Sequence, residues 1–431
     1  MMRGAGVSAG YYCTAGGGME TFLLDEVKNK LKATEVEHIP GRVFFRCTST
    51  LQQLMLLKSA ERLFLLLRKA PPITLPKNPA KAADVIKQSI VGNRDVWSHT
   101  LKSWTSLQAE LNGPQGRGQK RKRDEGEKEE NSSESGQSRP TFRVSCRCSG
   151  AIARCYNSQN LSRIIGVAIS RQLGWKTDLR DPSIEVNVYL NDDHCVIGIP
   201  LLKHPLASRS YMKHTGLRST VAWAMASLCA VQEGSVILDP MCGVGTILLE
   251  ASQECPSAVC IGMDTETAQL QKAAENIKAA GQDNRLMLAQ SSCMAIPMPA
   301  SSVDAVLCDV PFDRKFICST DMTTALPHIL AEMERVLRDG GHLVLLLSLQ
   351  LSARIRKLIK SSSSSHQAHT ADHDEESADS THTANTHTSD EKSSDTKSLK
   401  LSSLVLQSTH RVSLGSTDAL IHTYKKIHNT H

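Results

Sequence analysis

From Thr141 the chain alternates. Phe142, Val144, Cys146 and Cys148 fall on one side, and Arg143, Ser145 and Arg147 on the other, the period-two pattern of a half-buried strand. A helix follows over 157–173 with Ile164, Ile165, Val167, Ala168 and Leu173 as its apolar face. After Gly174-Trp175-Lys176, a strand over Ile184–Leu190 turns through Asn191-Asp192-Asp193 into a second over Cys195–Ile199. Upstream, Tyr11–Thr14 reads as a strand, and Gly16-Gly17-Gly18 turns it into a helix over Met19–Lys32. Glu20, Asp25 and Glu26 stand near that helix's start and Lys28, Lys30 and Lys32 near its end, as the helix dipole favours. Pro40-Gly41 joins Val36–Ile39 to Arg42–Cys47 in a hairpin, and a helix over Leu51–Ser59 leads to a strand over Arg62–Arg68. Helices around 81–111, carrying Trp97 and Trp104, complete the front half.

The back half changes period. Ser235–Leu238 is a short apolar strand that ends at Asp239-Pro240, where proline lacks the N–H a ladder needs. Gly243 and Gly245 form a loop, and helical spacing resumes over Ile247–Ala251. This strand, glycine turn and helix put backbone amides and a helix N-terminus at the carboxyl edge of a sheet, where open α/β folds take ligands. Gly-x-Gly without a third glycine does not match the dinucleotide fingerprint. The second apolar run, Val259–Asp264, ends in a carboxylate placed to accept both hydroxyls of an adenosine ribose. A helix over 267–280 stops at Gly281, and strands follow over Arg285–Leu288 and Val303–Leu307, the latter running into Asp309-Val310-Pro311-Phe312. A helix over 322–338, a fifth strand over His342–Ser348 and a helix over Ala353–Ile359 come next, then strand-like runs over Leu401–Leu414 and Ala419–Lys426. Strands alternating with helices predict a parallel, doubly wound α/β sheet.

Two stretches interrupt the pattern. Residues 112–139 are glycine, serine and charge, and cannot bury enough surface to offset ordering entropy, so they read as a flexible linker. Within it Lys120-Arg121-Lys122-Arg123 reads as a nuclear import address, with the cytoplasm as an additional location. Residues 361–398 are Ser, Thr, His, Asp and Glu, a low-complexity insert.

Charge separates the halves. Residues 10–111 and 140–203 together hold 22 Lys and Arg against 14 Asp and Glu, whereas residues 204–360 hold 14 against 15. The front is therefore the expected surface for a polyanion and the back the catalytic body. Thirteen cysteines without an extracellular framework indicate free thiols in a reducing compartment. Cys146-Arg147-Cys148 is too close for a zinc pair, and the His366–His387 tract reads as polar low complexity, so no metal is expected. No apolar run approaches a membrane span, and no membrane association is expected.

Asp239-Pro240-Met241-Cys242-Gly243-Val244-Gly245-Thr246 followed by Asp309-Val310-Pro311-Phe312 resembles the S-adenosylmethionine-dependent guanine-N2 RNA methyltransferases. Ser208-Arg209-Ser210-Tyr211 and Gly216–Met225 resemble the segment that precedes the first motif in that family, and the front half resembles its ferredoxin-like and THUMP domains. The resemblance implies an N-terminal ferredoxin-like domain over 10–111, a THUMP RNA-binding domain over 140–203 and a class I (Rossmann-like) methyltransferase domain over 204–428.

It implies S-adenosylmethionine as cofactor, held by Asp239, Pro240, Cys242, Gly243, Gly245, Thr246, Asp264 and Ser292. Ser292 stands where many methyltransferases place an aspartate, and Asp313 where a glycine is usual. A guanine amine is a weak nucleophile because its lone pair is delocalised, so it needs acceptors that turn it towards the methyl group and stabilise the developing charge. Asp309 and the Val310 carbonyl are the expected acceptors, with Pro311 stiffening the turn and Phe312 stacking the base. Arg143, Arg147 and Lys176 are the expected RNA-backbone contacts. The implied partners are U6 small nuclear RNA or tRNA and a small zinc-binding activator subunit. Methylation of an adenine or glutamine amine, or RNA binding without catalysis, is the alternative.

Overall fold

The computed structural model describes residues 9–112, 140–229, 231–311, 322–364 and 403–428. Of the expected linker only residue 112 is described, and of the expected insert only 361–364, each as the end of a helix. The basic tetrad at 120–123, Phe312 and Asp313 lie outside the described residues. The chain forms two compact units, Met1–Ser208 and Arg209–His431.

The first unit opens with β1 (Ala9–Thr14), α1 (Glu20–Leu31), β2 (Thr34–Ile39), β3 (Arg42–Cys47), α2 (Leu51–Leu54) and β4 (Arg62–Ala70). It continues with α3 (Pro79–Ile86), a π-helical turn over Lys87–Val91 and α4 (Arg94–Asn112). The segment from residue 140 adds β5 (Thr141–Cys148), α5 (Ala151–Cys155), α6 (Ser158–Leu173), β6 (Lys176–Thr177), β7 (Ile184–Leu190) and β8 (Cys195–Pro200). All of these strands belong to one eight-stranded sheet, ordered β2-β3-β1-β4-β8-β7-β5-β6. The seam is antiparallel, with Leu65 opposite Ile199.

Period-two alternation sorts each strand's side chains between the sheet's faces. Tyr11, Val43, Phe45, Leu63 and Leu65 pack with Leu23 and Val27 of α1, and Phe142, Cys146, Val186 and Val188 pack with Leu161, Ile165 and Ile169 of α6. The other face carries a smaller cluster of Tyr12, Phe44, Phe64 and Val196, all drawn from strands. Trp97 is fully buried, donates to the Val91 carbonyl at 2.6 Å and meets Trp175 edge-on.

Two sequence expectations change here. The helix expected over Leu51–Ser59 stops at Leu54, because the buried Glu26 carboxylate takes the N–H groups of Lys58 and Ser59 at 2.8 and 2.9 Å. Those amides therefore cannot serve a helical ladder. The apolar face of α6 is Leu161, Ile165, Ile169 and Leu173, a strict four-residue repeat, while Val167 is exposed.

The second unit contains α7 (Ser219–Ser227), β9 (Val236–Asp239), α8 (Thr246–Glu254), β10 (Val259–Asp264), α9 (Thr267–Ala280) and β11 (Leu286–Gln290). There follow β12 (Val303–Asp309), α10 (Met322–Val336), β13 (Leu337–Ser348), α11 (Leu349–Ser364), β14 (Leu404–Leu414) and β15 (Thr417–Lys426). The sheet order is β11-β10-β9-β12-β13-β15-β14, with β15 alone antiparallel to the rest. The order reverses between β9 and β12, the switch point at which such sheets open a crevice at their carboxyl edge. The fold is thus the doubly wound α/β sheet expected.

Strand β13 starts five residues earlier than the expected His342, since Leu337 already pairs with Val303 across an irregularity in the ladder. A Cβ at Gly341 would lie 2.8 Å from the Asp304 carbonyl, which is why glycine stands there. Helix α11 is longer than Ala353–Ile359, beginning directly after β13, where Ser348 Oγ accepts the Leu351 N–H. Ahead of α7, Arg209 is clamped to the buried Glu250 of α8 through Nε and Nη2 at 2.8 and 3.2 Å.

Candidate active site at the switch point

Neighbouring strands β9 and β12 end in Asp239 and Asp309, and β10 ends in Asp264. Between β9 and α8 the chain turns through Gly243 (φ +53°) and Gly245 (φ +79°), left-handed positions that glycine occupies without strain. A Cβ on Gly243 would meet nothing within 4 Å, so the loop's outer side borders open space. A Cβ on Gly245 would lie 3.5 Å from that of Ala273 in α9, which fixes the loop's inner side against a helix.

The Asp264 carboxylate is held from two sides. Its Oδ2 accepts the Gly243 N–H and its Oδ1 the Glu266 N–H, both at 2.9 Å. Each oxygen keeps a second lone pair for a ligand hydroxyl. Cys242 is buried, and its N–H donates to the Met263 carbonyl at 2.8 Å, tying the loop to β10. Thr246, the first residue of α8, buries its hydroxyl with no hydrogen-bond partner. An orphaned buried hydroxyl at a helix N-terminus has room in its bonding for a polar ligand.

Asp239 is buried, and its Oδ1 accepts the Met241 N–H at 3.2 Å. Burial pushes its carboxyl well above the usual range, and the neighbouring Asp309 and Asp264 push it further. Asp309 is partly exposed, and burial raises its carboxyl to about 7. Val310 is buried and its N–H continues the ladder to the Leu346 carbonyl, so the turn leaves the sheet at Pro311. Ser292 is exposed in the loop after β11, where its Oγ accepts the Met294 N–H at 3.2 Å. The structure thus gathers Asp239, Pro240, Cys242, Gly243, Gly245, Thr246 and Asp264 around one loop, with Asp309, Val310 and Pro311 on the adjacent strand end.

One residue escaped the sequence reading. Asn276 of α9 is fully buried; its Oδ1 accepts the N–H groups of Lys213 and His214, both at 2.9 Å. Its Nδ2 donates to the carbonyls of His214 at 3.0 Å and Val244 at 3.1 Å. The amide uses both donors and two acceptor positions, joining the glycine loop to the segment before α7. Gly216 of that segment sits so close that a Cβ would lie 2.5 Å from Val244 Cγ2.

The expected RNA contacts are all in the first unit. Arg147 and Lys176 are exposed on β5 and β6, whereas Arg143 is paired with Glu185 at 2.7 Å. Among the described residues no helix is long and apolar enough to cross a membrane.

Residues 207–371 match the profile of the RMKL-like methyltransferase domain and residues 127–200 that of the THUMP domain. The chain is 38% identical to U6 snRNA (guanine-N(2))-methyltransferase THUMPD2 of Bos taurus, over 98% of this chain and 97% of that protein. It is 37% identical to the Homo sapiens protein of the same name, over 99% and 98%. The tRNA (guanine(6)-N(2))-methyltransferase THUMP3 of Bos taurus is 33% identical over 48% of this chain and 43% of its own length. Among solved structures, TrmN from Thermus thermophilus shares the fold with a TM-score of 0.63 at 19% identity, covering 97% of this chain and 99% of its own. Motifs, sheet order and near full-length similarity agree, and the chain belongs to the THUMP-domain methyltransferase family that includes U6 snRNA (guanine-N(2))-methyltransferase THUMPD2.

Proposed function

We propose that this chain transfers a methyl group from S-adenosylmethionine to the exocyclic N2 of a guanosine in U6 small nuclear RNA. The observation that carries the reading is a glycine loop closed on Asp264, with Asp309 at the end of the adjoining strand. The residues present fit the cofactor: Asp264 retains lone pairs for the ribose hydroxyls, the space beside Gly243 is open, and the Thr246 hydroxyl lacks a partner. The acidic side chains around the loop also favour a ligand bearing positive charge, since Asp309 and Asp264 both raise the proton affinity of Asp239. When bound, S-adenosylmethionine supplies a methyl group on a positively charged sulfur.

Asp309 and the Val310 carbonyl accept the two N–H groups of the guanine amine, which orients its lone pair towards the methyl group. The carboxylate offsets positive charge developing on that nitrogen. A carboxyl whose pKa lies near neutrality is also matched to take the proton that the methylated amine sheds. Pro311 stiffens the turn, Phe312 stacks on the base, and Ser292 bonds the adenine amine. Arg147 and Lys176, both exposed, draw in the RNA backbone, whereas the charge of Arg143 is already matched by Glu185.

The choice of RNA rests on length of similarity: relatives named for U6 snRNA align with nearly the whole chain, and those named for tRNA with about half. A spliceosomal substrate places the protein in the nucleus. We further propose a heterodimer with a small zinc-binding activator subunit on a sheet edge, supported by exposed Met287 on the outer strand β11 and exposed Val405 and Leu406 on the outer strand β14. Co-expression with that subunit should raise soluble yield and activity, and full activity of the chain alone would count against it.

Nucleoside mass spectrometry on U6 transcripts incubated with the protein and cofactor is the direct test. N2-methylguanosine, lost in Asp309→Ala while cofactor affinity persists, is expected. N6-methyladenosine instead would overturn the guanine assignment, and loss of cofactor affinity in step with activity would make Asp309 structural.

A further inference from the structure

We propose that Arg42, stacked on the ring of Tyr189, and Arg147, the cross-strand neighbour of Tyr189, form a phosphate-binding site for the RNA backbone on the sheet face opposite the helices of the first unit. The inference rests on the reading that this chain acts on RNA. Two cations of this face engage the backbone, and their paired neighbours do not.

Alternation puts Arg42 and Arg46 of β3, Arg143 and Arg147 of β5, and Tyr189 of β7 on the same face as Phe44. Three cations there are already neutralised. Arg46 is 2.7 Å from Glu35, Lys69 2.7 Å from Glu37, and Arg143 2.7 Å from Glu185. Arg42 and Arg147 form no ion pair with a carboxylate among the described residues.

The geometry of this pair is built by three strands. The Arg42 guanidinium carbon stands 3.6 Å from the centroid of the Tyr189 ring, and Tyr189 lies directly beside Arg147 in the β5–β7 register. Arg42 Nε is buried and has no hydrogen-bond partner. Burial lowers the proton affinity of this guanidinium, Tyr12 and a hydrogen bond with Tyr189 restore part of it, and the like charge of Arg147 lowers it again. A guanidinium stays charged in a protein, so the free molecule holds two unneutralised cations side by side, one of them partly desolvated. Stacking on tyrosine offsets only part of that cost. An anion bridging the two relieves the repulsion and fills the guanidinium forks, whose planar donors match phosphate oxygens in pairs.

The same face argues for phosphate and against a base. Tyr12, Phe44 and Phe64 are buried against one another, and the Tyr189 ring is already covered by Arg42. None of the three buried rings offers an open face on which a nucleobase could stack. Contact is therefore to the backbone, which sets the position of the RNA without reading its sequence.

The test uses the full chain and U6 transcripts, with equilibrium binding measured over a range of salt. Arg147→Gln should weaken binding about tenfold near 0.1 M salt and flatten the plot of log affinity against log salt by about 0.7 to 0.9 for the phosphate lost. Arg42→Gln should do the same, and Arg143→Gln, whose charge is already matched, should change affinity less than about twofold. Cofactor affinity should be unchanged in all three. Arg147 is exposed, so its substitution reports on binding even if Arg42→Gln loosens the aromatic cluster. Unchanged affinity and slope in Arg147→Gln, or an equal loss in Arg143→Gln, would overturn the site while leaving the RNA reading intact. Wild-type protein that bound no RNA at any salt would overturn that reading and the site with it.

Discussion

In the proposed reaction Asp309 works in the ionised form, and burial raises its carboxyl from the ordinary 3.8 to about 7. The turnover rate should therefore climb through neutrality and level off about one pH unit above it. Stability carries the opposite sign. Because the folded state holds this proton more tightly than the unfolded chain, the carboxyl's contribution is full below the unfolded value and falls as pH rises through the window up to about 7. Asp309→Asn should abolish transfer and flatten that part of the stability profile, which thermal denaturation across pH would show. Asn276 is the other residue with a strong expectation. Removing its amide strands four backbone groups, one buried and three part-buried, which costs about 2–4 kcal/mol. Asn276→Asp keeps the acceptor but sets a carboxylate against the carbonyls of Val244 and His214. Both this variant and Asn276→Ala should raise the Michaelis constant for the cofactor while that for RNA stays fixed; a purely structural role would cut the active fraction at constant cofactor Michaelis constant. The glycines and aspartates of the site were legible because their order along the chain is itself the signal. Asn276 was not, since its partners lie 32 and 62 residues away and no spacing announces them.

Elements were legible wherever one period dominated. Thr141–Cys148 and Ile184–Leu190 emerged with the strand bounds that alternation predicts, and Gly281 ends α9 in the left-handed conformation expected of a C-cap. Misreadings arose where a distant group outbid the local pattern. Leu51–Ser59 has helical composition and a capping box at Thr50, yet Glu26 from α1 captures its later amides. The sequence reads Glu26 only as an acid favoured by the helix dipole, whereas its side chain is buried and is also held by Lys30 at 3.1 Å. Glu26→Ala should cost about 2–3 kcal/mol, because the amides it serves are left without acceptors in a dry setting. Denaturant unfolding should show the midpoint falling, with activity of the folded fraction intact. On α6, several apolar residues competed for the inward face, and a one-residue offset placed Val167 on it in error.

At the scale of the molecule, the two compact units make a separable expectation for heat. Cofactor at one hundred times its dissociation constant stabilises what it binds by about 2.7 kcal/mol. Calorimetry should show the transition of residues 209–431 moving up by roughly 5–10 °C and that of residues 9–208 staying put, given the scale for units of this size. The front half was foreseen as two neighbouring segments, and its strands proved to share a single sheet. Nothing in the local pattern marks that join, for strand pairing across a long stretch of chain leaves no periodic trace.

That join has a consequence for synthesis. Leu65 on β4 waits for Ile199 on β8, so an apolar edge leaves the ribosome long before its partner exists. At roughly 5–20 residues per second, the nascent chain carries this open edge for on the order of ten seconds. During that interval β4 is a template for any other strand in reach. Translation speed between β4 and β8, and the holding chaperones that meet the emerging polypeptide, therefore bear on how much of this protein a cell recovers in active form.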